Sequence, residues 1–177
     1  MNNRQTFNPI PYLSQFLLVL SFLTLIHLDA NADGTKSFLM KDLAGKEHRL
    51  SDYQGKWVIL NFWATWCPSC LDEMPDFISL YEQRKAKDLV VLGIAVDYKN
   101  EREVQHFVDD MLVSYPIILG TPKIFAQFGS PSVLPTTLIY NPQGRLVKIK
   151  RGQLSKQAVE LIMLSPPNES LDALAPQ

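Results

Sequence analysis

Two stretches of the chain are apolar at nearly every position. "WVILNFWA" (57–64) and "LVVLGIAV" (89–96) suit central strands buried on both faces. Between them the period changes. From Pro68 to about Lys87, Cys70, Met74, Phe77, Ile78 and Tyr81 recur at helical spacing. "EREVQHFVDDML" predicts an amphipathic helix, with Val104, Phe107, Val108 and Met111 on one face. "PIIL" predicts a short strand and "PKIFAQFG" a short helix ending at Gly129. "TTLIYN" and "RLVKIKRG" predict two strands joined by the turn signal Pro142-Gln143-Gly144. "SKQAVELIML" predicts a last helix with Ser155 as its N-cap. Ahead of all these, "SFLMKDLAGKEHRLSDYQGK" alternates apolar and polar around Ala44-Gly45 and closes at Gly55, the pattern of a hairpin. The order β–α–β–α–β–α–β–β–α predicts an α/β sandwich with helices on both faces of the sheet. The tight turn makes the two closing strands antiparallel, so the sheet is mixed.

The N-terminus reads as an address. Arg4 precedes the apolar run Phe16 to Ile26, and "DANAD" places Ala30 and Ala32 where a signal peptidase needs small residues. This predicts a signal peptide over 1–32, cleaved after Ala32, with an uncleaved membrane anchor as the rival reading; the run is short for a span of about 20 residues. The folded domain is then 33–165, and 166–177 reads as a disordered tail. The expected location is periplasmic or otherwise exported, where a cysteine pair can persist as a disulfide.

With 177 residues, 46% of them apolar and 20% charged, the chain can build one domain with a core. A formal net charge of −1 leaves no electrostatic footprint for nucleic acid or an anionic membrane surface. No dinucleotide or phosphate-binding glycine motif implies an organic cofactor, and none is expected.

The chain has two cysteines, Cys67 and Cys70, in "FWATWCPSCLDEMP". A structural staple explains them poorly, because so short a loop removes little unfolded-state entropy. A structural metal site needs four ligands. His27 lies in the leader, while His48 and His106 sit in charged segments and read as surface histidines, so no metal is expected. A redox pair fits the local geometry. If Cys67 is the N-cap, Pro68 falls at N1, where a missing N–H is harmless. The N–H groups of Ser69 and Cys70 then have no helical partner and can face the Cys67 sulfur, favouring a thiolate. On this reading Cys67 faces outward as the attacking thiol. Cys70, one turn on and covered, is the resolver.

"NFWATWCPSCLDEMP" resembles the active site of the thioredoxin-like TlpA/ResA/DsbE family of exported thiol–disulfide oxidoreductases. Trp66, Cys67, Cys70, Glu73 and Pro75 match the family pattern W-C-x-x-C-x-x-E-x-P. "LPTTLIYNPQGRLVKIKRG" resembles the family's cis-proline strand and closing hairpin, with Pro135 in the cis-proline position. The likeness covers roughly 37–164. It implies a thioredoxin-like fold with an N-terminal hairpin and, in "NEREVQHFVDDMLVSYPIIL", a helix–strand insertion before the cis-proline. It further implies catalytic Cys67, Cys70 and Glu73, with a substrate site shaped by Trp66, Leu134 and Pro135. Thioredoxins carry a buried Asp in the strand before the motif; here that position is Asn61, which takes up no proton. The resemblance therefore makes Glu73 the candidate base for Cys70. The alternative is a solvated carboxylate in the first helical turn. Pro75 is read as structural.

Asp72 and Glu73 lie close to the pair in sequence, with no Lys, Arg or His nearby, and negative charge disfavours a thiolate. That predicts a reductant, and the resemblance to cytochrome c maturation proteins points the same way. The expected partners are protein thiols or disulfides and a membrane electron donor, with the chain a monomer that binds no nucleic acid. The rivals are an oxidase or isomerase of the same fold and a non-catalytic thiol or copper-binding module.

Overall fold

A computed structural model describes residues 37–165. The proposed leader and tail, 1–32 and 166–177, lie outside them. Among the described residues, the strands are β1 (Leu39–Lys41), β2 (Glu47–Arg49), β3 (Trp57–Trp63), β4 (Leu89–Ala95), β5 (Ile117–Leu119), β6 (Thr136–Tyr140) and β7 (Leu146–Arg151). The helices are α1 (Pro68–Arg84), α2 (Glu101–Asp110), α3 (Pro122–Phe128) and α4 (Lys156–Leu164), with a 3-10 turn at Leu50–Tyr53. None is long and apolar enough to cross a membrane.

The main sheet has the order β5-β4-β3-β6-β7. β3, β4 and β5 are parallel; β6 runs antiparallel to β3, and β7 antiparallel to β6. The two apolar runs thus become its central parallel pair, as their composition requires. Strand alternation then assigns the helices. Asn61 and Trp63 of β3 meet Glu73 of α1 and Phe107 of α2 on one face. Phe62 meets Phe128 of α3 on the other, where Phe38 and Tyr140 join the cluster. The sheet is mixed and covered on both faces, as expected. Helix α2 ends at Asp110, so Met111 is its C-cap and is exposed rather than part of the buried stripe.

β1 and β2 pair antiparallel around a turn in which Gly45 adopts φ +85°, a left-handed conformation that favours glycine. His48 corrects the expectation of a surface histidine, since it is 1% exposed. The period of two is the reason. His48 stands opposite Met40 on the inner row, while Glu47 and Arg49 point out and pair at 2.7 Å. His48 Nε2 bonds the Asp42 carboxylate at 2.8 Å, and Nδ1 bonds the Tyr53 hydroxyl. Burial raises the Tyr53 hydroxyl to a pKa of about 12. His106, in contrast, is exposed. Replacing His48 by Ala leaves Asp42 and Tyr53 without their shared partner. A loss of about 2–3 kcal/mol is expected in urea unfolding; a loss under about 0.5 kcal/mol would show that the trio contributes nothing to folding.

Candidate active site

Cys67 is the N-cap of α1, with extended backbone (φ −94°, ψ 105°), and Pro68 is the first helical residue. Cys67 and Cys70 form a disulfide with their Cα atoms 5.3 Å apart. The Ser69 and Cys70 amides do not cap the Cys67 sulfur in this oxidised state. The Cys70 N–H donates instead to the Cys67 carbonyl at 3.0 Å, and the sulfur lies 3.6 Å from Ser69 Oγ. Nor does Cys67 project outward: it is 4% exposed and Cys70 1%. The two sulfurs differ in access rather than in gross exposure. Cys67 lines an open cleft of about 680 Å³, to which Cys70 makes no contribution.

Trp66, Pro68 and Ser69 line that cleft together with Val96 and Asp97 from the β4–α2 junction and Leu134 from just before β6. The Trp66 indole N–H donates to the Asp97 carbonyl at 3.2 Å, and the Thr65 hydroxyl donates to Glu103 of α2 at 2.9 Å. Asp97 of the β4–α2 connection and Glu103 of the insertion together anchor the active-site loop. Trp66 remains 58% exposed, an apolar surface beside the sulfur. The Leu134–Pro135 peptide bond is cis. Pro135 itself is buried, its carbonyl accepting from the Gly152 N–H at 2.8 Å, so it is Leu134 that meets the cleft. Pro75 sits inside α1 on its exposed side, away from the sulfurs.

Glu73 lies in the second turn of α1, not the first, and is 1% exposed. Its Oε1 accepts from Asn61 Nδ2 at 2.7 Å and its Oε2 from the Leu154 N–H at 2.9 Å. Asn61 also donates to the Thr137 hydroxyl at 3.1 Å. The solvated-carboxylate alternative is thereby excluded. Burial lifts the Glu73 carboxyl to a pKa of about 7; the bonds from Leu154 and Asn61 pull it down, and the Asp76 charge pushes it up again. Asn61 does not replace the acid; it holds one supplied by the helix. Asp72, its sequence neighbour, is exposed. The sequence carried no sign of Leu154, which acts through backbone 81 residues away from Glu73. A wall residue such as Asp97 also needed the fold to bring it in. Among the described residues, no group of three or more His, Cys, Asp or Glu side chains could hold a metal ion.

The arrangement combines a dithiol–disulfide couple at a helix N-terminus, one sulfur reachable from a cleft, and a buried carboxyl that titrates near neutrality three residues beyond the other sulfur. Comparison with known proteins agrees with this chemistry. The family model described as AhpC/TSA family matches residues 32–149. The chain is 33% identical over 135 residues to the thiol-disulfide oxidoreductase ResA of Bacillus subtilis, covering 76% of this chain and 75% of that protein. It is 37% identical over 129 residues to the ResA of Halalkalibacterium halodurans, covering 72% of each. Among solved structures, a thioredoxin-family thiol:disulfide interchange protein from Chlorobium tepidum superposes with a TM-score of 0.66 at 27% identity, over 72% of this chain and 90% of that one.

Proposed function

The chain belongs to the AhpC/TSA family of thioredoxin-like proteins, and from that membership we propose that it is a ResA-type thiol–disulfide oxidoreductase that reduces protein disulfides outside the cytoplasm. The observation that carries the reading is the Cys67–Cys70 disulfide, of whose two cysteines only Cys67 lines the cleft, with the Glu73 carboxyl buried.

In the reducing cycle, the Cys67 thiolate attacks one sulfur of a substrate disulfide and the other sulfur leaves as a thiolate. Cys70 then gives its proton to Glu73 and attacks Cys67 Sγ. The second substrate sulfur departs, the Cys67–Cys70 disulfide forms, and two electrons have passed to the substrate. A carboxyl with a pKa near 7 accepts and returns a proton with little driving force lost in either direction. Trp66 and Leu134 flank the substrate cysteine, and Pro135 sets the strand end beside it. The chain works as an exported monomer, its leader cleaved after Ala32, and a membrane dithiol protein recharges it. Its substrate is apocytochrome c, whose haem attachment through a C-x-x-C-H motif needs both cysteines as thiols.

The reducing direction is supported by the walls of the cleft. Among the described residues they carry no Lys, Arg or His, and their one charged side chain is Asp97. Beyond the helix terminus and the Ser69 hydroxyl, 3.6 Å from the sulfur, no cation there stabilises a Cys67 thiolate, and a poorly stabilised thiolate makes a dithiol a better reductant. Equilibration with a redox buffer is expected to place the potential nearer thioredoxin, about −270 mV, than DsbA, about −120 mV. A value at the DsbA end would make the protein an oxidase. Proteins captured as mixed disulfides on a Cys70→Ser variant test the substrate assignment; the absence of apocytochrome c among them would remove it.

A further inference from the structure

Beside Glu73 lie buried polar atoms that the cycle above does not use. On the face of the sheet covered by α1 and α2, Gly93 of β4 stands opposite Asn61 of β3. Its missing side chain makes room for three others, Ile117, Tyr115 and Trp63. A Cβ there would lie 2.7 Å from Cδ1 of Ile117, 2.9 Å from Cε2 of Tyr115 and 3.0 Å from the Trp63 indole Nε1. Trp63 is wholly buried and Tyr115 nearly so. Among the described residues, the Trp63 indole N–H and the Tyr115 hydroxyl have no hydrogen-bond partner; the other such atom, Asn141 Nδ2, belongs to the distant β6–β7 turn. Folded proteins leave few buried polar groups unpaired, and where several converge an internal water commonly joins them. Burial, reinforced by the Glu73 charge, raises the Tyr115 hydroxyl above its ordinary pKa.

We propose that Trp63 and Tyr115 hold a buried water beside Asn61 that hydrogen-bonds the Glu73 carboxyl group, which makes both residues positioning residues for the acid of this site. The inference rests on the reading of Glu73 given above. The water accepts from the indole N–H, pairs with the Tyr115 hydroxyl and donates to the carboxylate, which satisfies both unpartnered groups. Its effect is to favour the ionised carboxylate against burial. In the oxidised protein the other titratable group near Glu73 on its own helix is Asp76, Cys70 being held in the disulfide. From the start of α4, Lys156 holds Asp76 through its backbone N–H at 2.8 Å. Asn61 and Thr137 from the strands, and the Leu154 N–H, are uncharged partners.

The test follows the Glu73 carboxyl by carbon-13 NMR against pH in the full-length oxidised protein, with the signal assigned by its loss in Glu73→Gln. In Tyr115→Phe and in Trp63→Phe the titration midpoint is expected to rise by about 0.5–1 pH unit. In the wild type the Trp63 indole proton is expected to cross-relax with a long-lived water, and that peak is expected to vanish in Tyr115→Phe. A midpoint that stays put or falls in the folded variants overturns the proposal. So does a wild-type Trp63 indole proton that meets no bound water, a measurement that needs no variant to fold. A Cys70 titration unchanged in Glu73→Gln would instead remove the role of Glu73, and the water would stand or fall separately.

Discussion

Cys67→Ser is expected to lose disulfide reduction to below about 1% of the wild-type rate, because a serine hydroxyl supplies no thiolate at neutral pH. Cys70→Ser is expected to fail differently. It retains the first attack, lacks the resolving thiol and accumulates mixed disulfides through Cys67. The difference follows from position: Cys67 lines the cleft and Cys70 does not. Neither variant should unfold. The disulfide joins residues only three apart, so its loss removes on the order of 1–2 kcal/mol. Turnover of a disulfide substrate and mass spectrometry of the trapped species check the pair, with a thermal melt to confirm folding. Alkylation that labels Cys70 before Cys67 in the reduced protein would invert the assignment.

Glu73→Gln is expected to slow resolution by about 10- to 100-fold and to flatten two pH profiles, one of Cys70 reactivity and one of stability. The side chain can be accommodated. Its carbonyl accepts from the Leu154 N–H, and a flipped Asn61 amide accepts from its NH₂ group and from the Thr137 hydroxyl. The stability profile has a definite sign. In the folded protein the carboxyl titrates at about 7, against 4.5 for an unperturbed glutamate. Between those values the unfolded chain has released its proton while the folded chain retains it. The stabilising contribution is therefore full below about pH 4.5 and is lost as the pH rises through 7. The wild type should lose on the order of 2–3 kcal/mol across that window through this group, and the Gln variant should not. Urea unfolding at pH 5 and pH 8 decides it; a parallel decline in both proteins would show that Glu73 does not carry the effect.

The order of elements was legible because each strand and helix announces itself by local period. "WVILNFWA" and "LVVLGIAV" could hardly be anything but the sheet centre, and Pro68 after Cys67 marks the start of α1 whatever surrounds it. The redox pair was legible for the same reason, since two cysteines three apart at a strand–helix junction are brought together by one helical turn. His48 shows where local reading failed. The charges of Glu47 and Arg49 suggested a surface, but strand alternation turns the residue between them inward, and Met40 opposite completes the inner row. Composition of a segment says nothing of the face each residue takes.

By itself, then, the chain determined which stretches are strands and helices, the start of α1 at Cys67–Pro68 and the closeness of the two sulfurs, all properties of backbone geometry over a few residues. Only the packed structure decided that Glu73 is a buried acid. Its surroundings come from β3, β6 and the backbone at Leu154, and no local pattern encodes their convergence. Tertiary packing also decided that Leu134, rather than Pro135, meets the cleft, and that Gly93 leaves the space filled by Ile117, Tyr115 and Trp63. A side chain's pKa and its access depend on what long-range contacts remove from water, and those contacts exist only once the sheet is assembled.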